Sequence, residues 1–127
     1  MKLKSPKDKG DAFERLWRDK LKDSELDIYA KRSPLSGGIA MIPSDIVTKL
    51  PFAFECKRYH KIGIYQWWDQ TKRGSSAYKV PVLVVRQDPV RTSFGPPRGE
   101  DILVTMEADD WLQLVSYALK ADYARQH

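Results

Sequence analysis

Phe52-Ala53-Phe54-Glu55-Cys56-Lys57-Arg58 is the stretch on which the reading of this chain turns. Its side chains alternate with the period of a β-strand, where successive residues point to opposite faces. Phe52, Phe54 and Cys56 share one face; Ala53, Glu55 and Lys57 share the other. The first face is bulky and apolar enough to anchor the strand in a core. The second presents a carboxylate and an ammonium about 6–7 Å apart along the strand. Downstream, Val80 to Gln87 holds four valines and a leucine and reads as a strand buried on both faces.

The flanking segments complete an α/β pattern. Phe13, Leu16, Trp17 and Leu21 fall at helical spacing within Asp11 to Lys22, after a flexible basic lead-in over residues 1–9. Leu26 to Arg32 alternates as a short strand, and Ser33-Pro34-Leu35-Ser36-Gly37-Gly38 is a loop by composition. Ser44 to Lys49 reads as a strand that can form a hairpin with Phe52 to Arg58 around Leu50-Pro51. Ile64 to Ala77 is a predicted helix, Asp88 to Gly99 a long loop with three prolines and two glycines, and Asp101 to Met106 a strand. Glu107 to Tyr123 is a closing helix with a stripe of Trp111, Leu114, Val115 and Ala118. This order predicts one α/β domain over residues 10–127, a mixed central sheet flanked by helices.

Composition narrows the function. The chain has 127 residues, 42% of them hydrophobic, and a net charge of +5, which fits one compact domain rather than a disordered chain. No apolar run approaches the ~18–20 residues of a membrane span, and no signal-peptide pattern opens the chain, so a soluble, cytoplasmic protein is expected. Cys56 is the single cysteine, which excludes an internal disulfide and a multi-cysteine zinc cage; on the apolar face it reads as a small buried hydrophobe. His60 and His127 have no partner at metal-ligand spacing. The absence of a Gly-x-Gly-x-x-Gly turn and of a Walker loop argues against dinucleotide and nucleoside triphosphate enzymes.

The chemistry rests on Asp45, Glu55 and Lys57. If the strand before Leu50-Pro51 lies beside the one after it, Asp45 meets Glu55. Two close carboxylates repel unless a cation lies between them, and their hard oxygens suit Mg2+ or Mn2+. Such an ion activates water and polarises a phosphodiester, while an adjacent lysine counters charge developing on phosphorus.

Pro43-Ser44-Asp45, nine residues, then Glu55-Cys56-Lys57 resembles the signature of PD-(D/E)xK nucleases. More narrowly, Gly10-Asp11-Ala12-Phe13-Glu14, the Arg32 to Gly38 loop, Trp67-Trp68-Asp69-Gln70 and the Val82 to Val85 strand, in that order, resemble archaeal-type and phage Holliday junction resolvases. The proline stands two positions before the aspartate instead of one. The resemblance covers roughly residues 9 to 87. It implies a restriction-endonuclease-like core and a metal set of Asp45, Glu55 and Glu14. It also implies catalytic roles for Lys57, for Ser36 near the scissile phosphate and for Gln70 as a supporting glutamine; Gln66, one turn away, competes with Gln70.

The same resemblance implies a Mg2+-dependent endonuclease of branched DNA, with Mn2+ able to substitute. It would resolve four-way junctions in recombination and repair as a homodimer, in a phage-encoded setting. Clustered cations supply the expected phosphate contacts: Lys4, Lys7, Lys9, Arg32, Arg58, Lys61, Lys72 and Arg73. Tyr65, Trp67, Trp68, Trp111 and Tyr117 are candidate interface aromatics. The alternatives are a relative acting on another DNA structure or sequence, and a non-catalytic nucleic-acid binder.

Overall fold

The computed structural model describes residues 5–34, 44–59, 61, 63–76 and 78–127. Its elements run α1 (Pro6–Asp23), β1 (Lys31–Arg32), β2 (Ile46–Val47), β3 (Phe52–Tyr59), α2 (Ile64–Arg73), β4 (Val80–Gln87), β5 (Ile102–Thr105) and α3 (Ala108–Gln126). The fold is α/β. β4 is central in a three-stranded mixed sheet, parallel to β3 and antiparallel to β5, while β1 and β2 form a separate antiparallel pair.

The register from Phe52↔Val80 to Tyr59↔Gln87 gives the sheet two distinct faces. On one, Phe54, Cys56, Val82 and Val84 pack with Phe13 and Leu21 of α1, and Trp17 meets Phe54 edge-on at 5.5 Å between ring centroids. On the other, Glu55, Lys57 and Tyr59 turn toward α2, where Tyr59 and Trp67 lie 5.1 Å apart between ring centroids. The predicted alternation of β3 holds, and Val82 to Val85 are all buried as the apolar run requires.

The helix boundaries have local causes. α1 starts earlier than its apolar stripe predicts, so residues 6–9 of the expected lead-in are helical. Ser5 caps it: its hydroxyl accepts from the Asp8 N–H at 3.2 Å, while the Asp8 carboxylate accepts from the Ser5 N–H at 3.3 Å. This reciprocal cap and Pro6 at the first helical position favour initiation there. α2 ends sooner than predicted, because the chain turns at Gly74, whose N–H bonds back to the Gln70 and Lys72 carbonyls.

The predicted strand from Leu26 is mostly turn, leaving only Lys31–Arg32 paired. Asp27 sits at its centre. Its carboxylate accepts from the Tyr29 N–H at 3.0 Å, the Thr48 hydroxyl at 2.6 Å and the Lys49 N–H at 3.0 Å. The Thr48 hydroxyl, followed by the remaining hydrogen bonds, holds this carboxyl below its ordinary pKa despite the opposing effect of burial.

The expected hairpin between β2 and β3 is also replaced. β2 pairs with β1, and Lys79 Nζ donates to the Thr48 and Leu50 carbonyls at 2.6 and 2.9 Å. With Asp27 and Lys79 holding the 48–50 turn, Ile46 still packs in the core beside Phe54, and Asp45 bonds β3, its N–H donating to the Phe54 carbonyl at 3.0 Å. No described helix is long and apolar enough to cross a membrane.

Candidate active site

A cleft of about 290 Å³ opens along the β3 edge opposite β4. α1 brings Lys7, Gly10, Asp11 and Glu14 to it, the residue before β2 brings Asp45, β3 brings Glu55 and Lys57, and α2 brings Gln70. Four of the six predicted catalytic side chains are ionisable and line this one space. Gln70 joins them. Ser36 lies outside the described residues, as does Pro43.

Asp45 is fixed by the free edge of β3. Its Oδ2 accepts from the Cys56 N–H at 2.8 Å, taking a place that a neighbouring strand's carbonyl would occupy in a longer ladder. A hydrogen bond to a charged acceptor contributes roughly 1.5–3 kcal/mol, so Asp45 is oriented before any ligand arrives. Burial pushes its carboxyl up to about 7, with the Glu55 charge adding to the rise and the Cys56 N–H opposing it.

Glu55 is held from two sides. Gln70 Nε2 donates to its Oε1 at 3.2 Å, and Lys57 Nζ lies 3.5 Å from the same oxygen. Burial raises its pKa, and Lys57 offsets part of the rise. Of the two competing glutamines, Gln70 bonds Glu55 and lines the cleft, and Gln66 is not in its lining.

Glu14 is buried, and desolvation followed by the Asp45 charge raises its pKa. Arg32 restrains it: Nε bonds Glu14 at 2.9 Å and Nη2 bonds Asp11 at 2.8 Å. Arg32, expected to face DNA phosphates, thus balances acids at the α1 wall of the cleft. Among the described residues, no three His, Cys, Asp or Glu side chains form a preassembled metal cage. The oxygens are instead engaged by Arg32, Cys56, Gln70 and Lys57.

That acid-rich centre is still chemically suited to a hard cation. Three carboxyls in one cleft all have raised pKa values, so ionising them together is costly without added positive charge. Cys56 is buried with its thiol pushed well up by desolvation, which fits packing and not nucleophilic attack.

The other predicted phosphate contacts divide into groups. Lys7 and Lys61 are exposed, Lys7 at the cleft. Lys72 and Arg73 are exposed near the end of α2, Lys72 lying 3.6 Å from Asp69. Lys9 and Arg58 instead converge on Asp88 at 3.0 and 2.9 Å, tying α1 to the end of β3. The Arg58 bond, followed by that of Lys9, holds Asp88 below its ordinary pKa. Lys4 and His60 lie outside the described residues.

Asp11 and Asp88 were missed as organising acids. Asp11 lies three residues before Glu14, so the two share a helix face; that spacing was the available signal. Asp88 follows the β4 run and carried none. No curated protein and no solved structure matches the chain. The family model described as "Phage putative PDDEXK endonuclease" matches residues 5–127, spanning every element that builds the cleft, and the chain belongs to this phage PD-(D/E)xK endonuclease family.

Proposed function

We propose that the protein is a Mg2+-dependent endodeoxyribonuclease that hydrolyses phosphodiester bonds in branched DNA, with four-way junctions as its preferred substrate. The observation that carries the hydrolytic part is the joint placement of Asp45, Glu55 and Lys57 in one cleft, with both carboxyls raised by burial. Asp45 and Glu55 would hold the ion, with Glu14 as a further acid. Bound there, Mg2+ or Mn2+ supplies Lewis-acid polarisation of phosphate and a water of lowered pKa.

The chain's own groups perform the remaining work. Lys57, held 3.5 Å from Glu55, would supply an ammonium to counter negative charge that grows during displacement at phosphorus. Gln70 fixes the Glu55 carboxylate, and the Cys56 N–H fixes Asp45. Arg32 sets the position of Glu14 from behind. Exposed Lys7, Lys61, Lys72 and Arg73 offer backbone contacts that carry no base code.

Four-way junctions are favoured by the resemblance that Gly10 to Glu14, the Arg32 to Gly38 loop, Trp67 to Gln70 and Val82 to Val85 add to the Asp45, Glu55 and Lys57 signature, and two copies would nick opposed strands. A purely binding role fits poorly, because buried acids facing DNA repel phosphate unless a cation is present. Labelled four-way junction, splayed-arm and linear duplex DNA, each with and without Mg2+, test the proposal. Mg2+-dependent cutting with the junction cut fastest is expected. Faster cutting of another substrate would move the assignment to that structure; binding without cutting under any metal would overturn the enzymatic reading.

A further inference from the structure

α3 runs for 19 residues, yet none of them is buried. Trp111 and Tyr117 of this helix were expected to be interface aromatics. Trp111, Leu112, Tyr117, Leu119 and Tyr123 are each more than half exposed. Leu112, Val115, Leu119 and Tyr123 form one apolar stripe at helical spacing, while Trp111, Leu114, Ala118 and Ala121 form a second beside it. A helix apolar over most of its circumference is ordinarily buried. A groove at the foot of α3 is lined by Ile64, Tyr65, Trp68 and Met106, and on β5 Leu103 and Val104 are 59% and 55% exposed.

We infer that α3 pairs antiparallel with α3 of a second copy of this chain. Charge selects that occupant. The start of the helix carries Glu107, Asp109 and Asp110, and its last two turns carry Lys120 and Arg125 against Asp122 alone. A twofold axis brings the acidic start of each helix to the more basic end of the other, and the helix dipoles oppose favourably in the same arrangement. Parallel pairing would instead stack acid on acid.

The pairing supplies the surface for the two-copy arrangement proposed above, but is read from mass alone, so it stands or falls separately from nuclease activity.

Sedimentation equilibrium of the full chain at micromolar concentration tests it. Twice the 14.7 kDa chain mass is expected, with Leu112→Glu/Leu119→Glu weakening association about 100-fold or more while circular dichroism shows the α/β body folded. Two charge-swapped chains provide the second test: Asp109→Lys/Asp110→Lys and Lys120→Glu/Arg125→Glu. Each should associate more weakly alone, and an equimolar mixture should recover the dimer, because each reversed end then meets its opposite. A monomeric wild-type chain overturns the proposal. So does a mixture that associates no better than its components.

Discussion

The β3 edge and α3 invert the usual distribution of residues in opposite ways. At the β3 edge, carboxylates are buried: Glu14 and Glu55 are each only 7% exposed and Asp45 9%. On α3, large apolar side chains face solvent, with Tyr123 65% and Leu119 66% exposed. A buried acid costs stability unless it is paired, whereas an exposed apolar face only forgoes the gain that burial would bring. The difference lies in how much compensation the chain supplies. Cys56, Gln70, Lys57 and Arg32 engage the acids, whereas no described residue buries α3. The first region is a set of acids that the chain itself restrains, and the second is an apolar surface that none of its described residues covers.

The largest expected effect strikes the site's charge. Asp45→Asn and Glu55→Gln should each slow Mg2+-dependent cleavage by about 1,000-fold or more while DNA binding persists or tightens. Binding is read by gel shift in Ca2+ or without metal. Cleavage at the wild-type rate would break the contrast by making these burials merely structural. Lys57→Ala should follow, with a loss of about 100-fold in kcat and a folded protein, since its ammonium acts chiefly on the transition state. A variant that unfolds would make Lys57 a structural counter-ion of Glu55.

Stability separates the regions further. Asp45 has a folded-state pKa raised from 3.8 to about 7, so the native state binds this proton more tightly than the unfolded chain. Its contribution is fully present below about pH 4 and is lost as pH rises through 7. Asp45→Asn keeps an oxygen for the Cys56 N–H and removes the charge. In metal-free buffer at pH 8 it should therefore stabilise the protein by on the order of 2 kcal/mol, with the gain vanishing near pH 4. Thermal melts across pH read this directly, and a pH-independent difference would show that charge is not the cause. The smallest effect belongs to Gln70: Gln70→Ala should lower kcat about tenfold, as expected when one orienting hydrogen bond is lost, while Gln66→Ala leaves it unchanged. Equal losses would show that the 3.2 Å bond to Glu55 is not what positions that carboxylate.

The same contrast marks what the sequence could convey. β3 and β4 were legible because strand period and apolar run length report burial directly, and Val80–Gln87 has the bounds that its composition suggested. The facing of Glu55 and Lys57 followed from that period. Asp45 was placed correctly beside Glu55, but by a different device: a carboxylate accepting a backbone N–H at a free strand edge, which leaves no periodic trace. The loss of the β2–β3 hairpin depends on Asp27 and Lys79, distant residues that capture the 48–50 turn. Arg32 looked like a phosphate contact because charge alone does not disclose a partner 18 residues earlier in the chain. The apolar stripe of α3 was visible, but periodicity shows that a face must be covered without showing what covers it.

On the proposed function, the β3 edge hydrolyses DNA only once a divalent cation offsets its acids. The most direct measurement follows cleavage of a labelled four-way junction by the wild-type protein and by Glu55→Gln, across a Mg2+ titration that begins in chelator. Cutting that rises from zero with Mg2+ in the wild type and stays absent in Glu55→Gln is the predicted result. Cutting in chelator, or undiminished cutting by Glu55→Gln, would contradict it.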